Sequence, residues 1–182
     1  VNTVPAEGGC LNIQGGDVVL TNVNMDDCHA GQGGAVFITD AGVLQWTSGE
    51  CSGSFATVDH GGCLFSSGPL TLADTNIIGN EATVSGGGIY FNDNAGTLLW
   101  SSGECTQNLA ENAGCIYTRL ATEVELGDGS GTDLFISGDL VPPTFPDVAV
   151  SNEAQSGGHG NQAVFLGNVT AYSDLTLWPS QL

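Results

Sequence analysis

Six cysteines, twenty carboxylates and a single cationic side chain set the chemistry open to this 182-residue chain. The cysteines are Cys10, Cys28, Cys51, Cys63, Cys105 and Cys115. None forms a Cys-x-x-Cys pair, so neither a zinc site nor a thioredoxin-type centre is favoured. An even number of cysteines in an acidic, lysine-free chain points to disulfides and an oxidising compartment. Free thiols packed in the core are the alternative.

The carboxylates dominate the charge, which is −19 with Arg119 as the one base. Nucleic-acid binding needs a cationic footprint, so it is excluded, and anionic lipid is disfavoured for the same reason. A well-solvated surface is the plain reading, and a cation-binding surface the sharper one. Asp128 and Asp133 bracket a glycine-rich run with Ca²⁺-type ligands. The run lacks the spacing and the distal Glu of an EF-hand loop, so an ordinary turn competes. No other cofactor is implied. His29, His60 and His159 stand alone, which favours corner or surface roles. Trp46 and Trp100 are either core residues or a stacking platform for sugar. Asn168-Val169-Thr170 is the only N-glycosylation sequon.

The elements that position these residues come from a repeated phrase of three small residues, an aliphatic and usually an aromatic. It reads Gly33-Gly34-Ala35-Val36-Phe37, Gly61-Gly62-Cys63-Leu64-Phe65, Gly86-Gly87-Gly88-Ile89-Tyr90 and Ala113-Gly114-Cys115-Ile116-Tyr117, with a weaker first copy at Gly8-Gly9-Cys10-Leu11-Asn12. The steps are 25, 28, 25 and 27 residues. Such a period marks a solenoid, whose repeats cannot bury their apolar faces alone. Helix periodicity is poor, while short runs such as Asp17–Leu20, Gly42–Trp46 and Thr97–Trp100 read as strands. The expected fold is all-β: a single-stranded right-handed parallel β-helix of about 26 residues per rung, or about seven turns over the chain.

Alternate rungs are more alike than neighbours. Trp46-Thr47-Ser48-Gly49-Glu50-Cys51 matches Trp100-Ser101-Ser102-Gly103-Glu104-Cys105, a double-rung unit of about 53 residues. Met25 falls opposite Ile77, and Cys28 opposite Asn80. Cys28, Ser54, Asn80 and Asn108 mark a corner where side chains satisfy turn backbone groups. With the copies aligned, Cys51–Cys63 and Cys105–Cys115 flank one corner, and Cys10–Cys28 closes the first rung.

The phrase stops after Arg119. Residues 120–160 are expected to hold irregular rungs with a Pro-rich loop, and 161–182 a terminal rung, all within one domain. No capping helix is apparent. Strand-like segments at Val1 and Val4 and at Leu175, Leu177 and Trp178 are therefore expected to be edges ready to pair. No signal peptide is visible and the chain starts without Met, which reads as a processed product or a defined segment. No apolar run is long enough to span a membrane.

The paired phrases Ile77-Ile78-Gly79-Asn80-Glu81-Ala82 before Gly86, and Cys105-Thr106-Gln107-Asn108-Leu109-Ala110 before Ala113-Gly114, resemble the repeats of polymorphic outer-membrane proteins and autotransporter passenger domains. The resemblance covers residues 8–119 and implies surface exposure, adhesion or structural display. The cysteine density and the scarcity of Lys and Arg depart from it. Gly158-His159-Gly160 and Asp26-Asp27 are similar to pieces of polygalacturonase-like sites, but they lie about 130 residues apart and the basic motif is missing. Glycoside hydrolysis needs two carboxylates within about 5–9.5 Å. Pectate-lyase-like chemistry needs a basic residue as base, for which only Arg119 is available, and a lysine that this chain lacks, and its charge repels polyuronates. The expectation is a non-enzymatic, secreted or cell-surface structural protein that self-associates end to end into a fibre or layer. The alternative is an adhesin or glycan-binding module.

Overall fold

A computed structural model describes residues 7–92 and 95–118, and the strands at 123–126, 134–137, 153–154, 164–166, 170–171 and 175–178. The chain is a parallel β-solenoid of about 26 residues per rung. Its strands form three walls.

The first wall stacks β1 (Leu11–Ile13), β4 (Val36–Ile38), β7 (Leu64–Ser66), β10 (Ile89–Phe91), β14 (Ile116–Thr118) and β18 (Val164–Leu166). The second holds β2 (Gly16–Asp26), β5 (Gly42–Ser52), β8 (Leu70–Ile78), β11 (Thr97–Trp100), β12 (Gly103–Thr106), β15 (Glu123–Leu126), β16 (Leu134–Ser137), β19 (Thr170–Ala171) and β20 (Leu175–Trp178). The third is a narrow strip of two-residue strands: β3 (His29–Ala30), β6 (Phe55–Ala56), β9 (Glu81–Ala82), β13 (Leu109–Ala110) and β17 (Glu153–Ala154).

Every pairing is parallel and in register. Leu11, Val36, Leu64, Ile89 and Ile116 are successive partners along the first wall. The regular part amounts to about four turns. The expected seven turns are not reached because one step is long: Ile116 pairs with Val164, 48 residues later. The strands inside that step keep the stack, although the glycine phrase has stopped. β15 continues β11, β16 continues β12 and β17 continues β13.

In the second wall one residue in each of the long strands β2, β5 and β8 is left-handed. Asn22, Ser48 and Asp74 have φ of 53°, 56° and 49°. They occupy one column, between the paired rows Thr21–Thr47–Ala73 and Val23–Gly49–Thr75. Asn and Asp tolerate this region better than other side chains. In the next rung the break is complete at Ser101–Ser102, so the long strand becomes β11 and β12.

The core is filled by period-2 alternation. Leu44, Leu70, Leu98 and Val124 form one fully buried column. Trp46, Leu72, Trp100 and Leu126 form the next. Large indoles thus alternate with leucines, which is the physical origin of the double-rung period. A narrow core takes a Trp where the rungs above and below offer less volume.

Candidate functional site

The small-residue phrase puts its aliphatics inward and its aromatics on the outer face of the first wall. In-register parallel strands bring equivalent side chains about 4.8 Å apart. Phe37, Phe65, Tyr90 and Tyr117 consequently stack into a ladder with centroid separations of 4.9, 5.2 and 5.4 Å and near-parallel rings. The two phenylalanines are buried and the two tyrosines partly exposed. His60 lies over Tyr90 at 4.1 Å. Its Nε2 meets the Asp59 carboxylate at 2.8 Å, and Asp59 accepts a hydrogen bond from Gln32 Nε2 at 2.7 Å. Burial pushes the His60 pKa down from 6.5, with Asp59 pulling it partly back. Its Nδ1 is buried without a partner. A shallow groove of about 140 Å³ lies nearby, lined by Glu7, Gly31, Gln32 and Val58.

Trp46 and Trp100 are not a sugar platform. Both indoles are fully buried, with Nε1 donating to the carbonyls of Val23 and Ser102. The outer ladder does not replace them, because ring faces within the stack are covered by neighbouring rings and sugars stack on faces.

The three expected disulfides are present: Cys10–Cys28, Cys51–Cys63 and Cys105–Cys115, with Cα separations of 5.7, 6.1 and 6.0 Å. No described cysteine is free. Register explains their alternation. Met25, Cys51, Ile77 and Cys105 share one slot of the second wall. Just beyond the next corner the phrase supplies Ala35, Cys63, Gly88 and Cys115. The facing pair is therefore either a bridge or a large side chain against a small one. At Gly88 an added Cβ would lie 3.0 Å from Ile77 Cγ2. Cys10 has no earlier rung to bridge among the described residues and pairs within its own turn.

The corner column is also as expected. Cys28 N–H donates to Ser54 Oγ, Ser54 N–H to Asn80 Oδ1, and Asn80 N–H to Asn108 Oδ1, at 3.3, 2.9 and 2.9 Å. The amide nitrogens of Asn80 and Asn108 donate to the carbonyls of Cys51 and Ile77. Both asparagines are fully buried.

The start of the solenoid differs from its interior. β2 runs eleven residues and, among the described strands, pairs only with β5. Val18, Leu20 and Val23 occupy core columns but are only partly buried, whereas Leu44 and Trp46 directly above are fully buried. At the other end, β20 pairs only with β16 among the described strands.

Of the remaining expectations, Asp26 and Asp27 lie at an exposed corner, Asp26 accepting from Ser52 and Asp27 contacting His29 at 3.1 Å. Among the described residues no three His, Cys, Asp or Glu side chains converge as a metal site. Val1, Val4, Arg119, Asp128, Asp133, His159 and Asn168 lie outside the described residues, as do the side chains of Leu175, Leu177 and Trp178. Sequence reasoning noted the aromatic ending of each phrase but missed the ladder, and it missed the left-handed Asn22–Ser48–Asp74 column. No family model, no curated protein and no solved structure matches this chain.

Proposed function

We propose that the chain is a building unit of an extracellular fibre or surface layer, in which solenoid ends stack on neighbouring copies. The observation that carries this reading is the β2 edge. Among the described strands this eleven-residue strand has a partner on one side, and its core-facing Val18, Leu20 and Val23 are only partly buried. An open edge with apolar residues in register is a template for another strand. β19 and β20, at the opposite end of the same wall, supply a parallel rung of matching direction. Head-to-tail contact of this kind is heterologous and propagates rather than closing. The disulfides are compatible with an extracellular setting. The resemblance of the glycine phrases to autotransporter passenger repeats agrees with surface display.

A net charge of −19 opposes association, so assembly should strengthen with ionic strength. Electron microscopy of the protein at neutral pH, at low and at physiological salt, tests the reading. Filaments are expected, longer at higher salt, and the double variant Leu20→Asp, Val23→Asp should abolish them while remaining folded by circular dichroism. Dispersed single rods under all conditions, or a variant that assembles like the parent, overturns the proposal.

A further inference from the structure

We infer that Tyr90 and Tyr117 form an oxidative coupling site, able to join as an intramolecular dityrosine across two rungs of the outer wall. This goes beyond the assembly reading and does not depend on it. The rings are 5.4 Å apart with planes inclined by 10°, and both residues are partly exposed. Register pairing of Tyr90 with Tyr117 holds them in the same slot of adjacent rungs.

The rest of the described molecule directs an oxidant to this pair. Trp46 and Trp100 are fully buried and Met25 is 8% exposed. All six cysteines are in disulfides, so no thiol competes for or quenches a radical. The chain contains three tyrosines, and these are two of them.

The step needs hydrogen peroxide and a one-electron peroxidase, both met outside cells. Each phenol gives up one electron and its hydroxyl proton, leaving two tyrosyl radicals. A carbon–carbon bond forms between ring positions ortho to the hydroxyls. The ortho hydrogens then return to the oxygens as the rings regain aromaticity, so each tyrosine loses one hydrogen overall. The two electrons and two protons reduce one peroxide to two waters. Proximity makes the second step effectively unimolecular. The product would staple the outer face of a turn whose inner face already carries Cys105–Cys115.

The test treats the dilute protein with peroxidase and peroxide, reduces its disulfides and cleaves it after glutamate. Tyr90 then falls in fragment 82–104, Tyr117 in 112–123 and Tyr172 in 154–182. The expected result is dityrosine fluorescence at monomer mass, with fragments 82–104 and 112–123 joined at their summed mass less two hydrogens. Tyr90→Phe and Tyr117→Phe should each remove that species while leaving the fold intact. Unfolding in urea, after the disulfides have been reduced and alkylated and the reductant removed, should lower its yield by about tenfold or more, as the effective concentration falls. Linkage through Tyr172, dityrosine only between separate chains, or a yield unchanged by unfolding would each overturn the inference.

Discussion

Two of the solenoid's corners solve one problem by opposite means. At the Asn80 corner, side chains are added to satisfy backbone groups that would otherwise be buried and unpaired. At the Gly61–Gly62 corner, side chains are removed so that backbones can meet directly. Gly61 has φ of 70°, and a Cβ on Gly62 would lie 2.1 Å from the Gly87 carbonyl oxygen of the next rung. There Gly62 N–H bonds the Gly86 carbonyl at 3.0 Å with nothing in between. The first corner depends on chemistry and the second on space, so they should fail differently when changed.

Asn80→Leu should have the largest effect. It strands the Ser54 N–H and the Cys51 carbonyl in a fully buried position, at about 2–6 kcal/mol for the two groups together. Urea unfolding of the oxidised protein measures it, and a loss under about 1 kcal/mol would mean that water replaces the ladder.

Gly62→Ala should follow, at about 2–3 kcal/mol, because the obstacle is a backbone oxygen that cannot rotate away. The same melt measures it. If Asn80→Leu proves milder than Gly62→Ala, space rather than hydrogen bonding governs this fold.

The glycine corner should also carry a pH signal through His60, which packs beside it against Asp59 and Tyr90. Its pKa is lowered in the folded state, so the folded chain binds its proton less readily than the unfolded one. Its contribution is therefore unpenalised above pH 6.5 and falls as pH drops from 6.5 through the lowered folded value. His60→Gln should flatten the parent's loss of stability across that window, read as the difference between the two proteins' stability-versus-pH curves. Superimposable slopes would assign the pH dependence to other groups.

The smallest effect is expected where the glycine corner breaks its own rule. Ala113 takes the position of Gly33, Gly61 and Gly86 with φ of 52°. A left-handed alanine costs roughly 1–2 kcal/mol, part of which glycine returns as unfolded-state entropy. Ala113→Gly should stabilise by about 0.5–1 kcal/mol, detectable as a small rise in melting temperature. A destabilised variant would show that the alanine methyl group makes contacts worth more than its strain.

Much of this was legible in the residues. The Gly-Gly phrase, the Asn108 and Asn80 corner and all three disulfides follow from aligning copies, because a parallel in-register stack converts sequence alignment directly into spatial adjacency. The burial of Trp46 and Trp100 was legible too: each stands two residues after a core leucine, Leu44 or Leu98, and so shares its face. What alignment did not give was conformation at single residues. Nothing in Ser48 announces a left-handed backbone inside a strand, although Asn22 and Asp74 in the same column hint at it. The His60 contact was hidden for another reason, since it depends on how a corner loop folds over the wall rather than on the repeat.

The alternation of Trp46, Leu72 and Trp100 has a consequence for how such a chain can change length. Losing the Leu72 rung would put indole on indole and Cys51 beside Cys105, whereas losing it together with a neighbouring rung restores the alternation in both columns. The molecule has a parity. Its heritable unit is the pair of rungs, and lengthening or shortening by duplication and deletion should proceed in even steps.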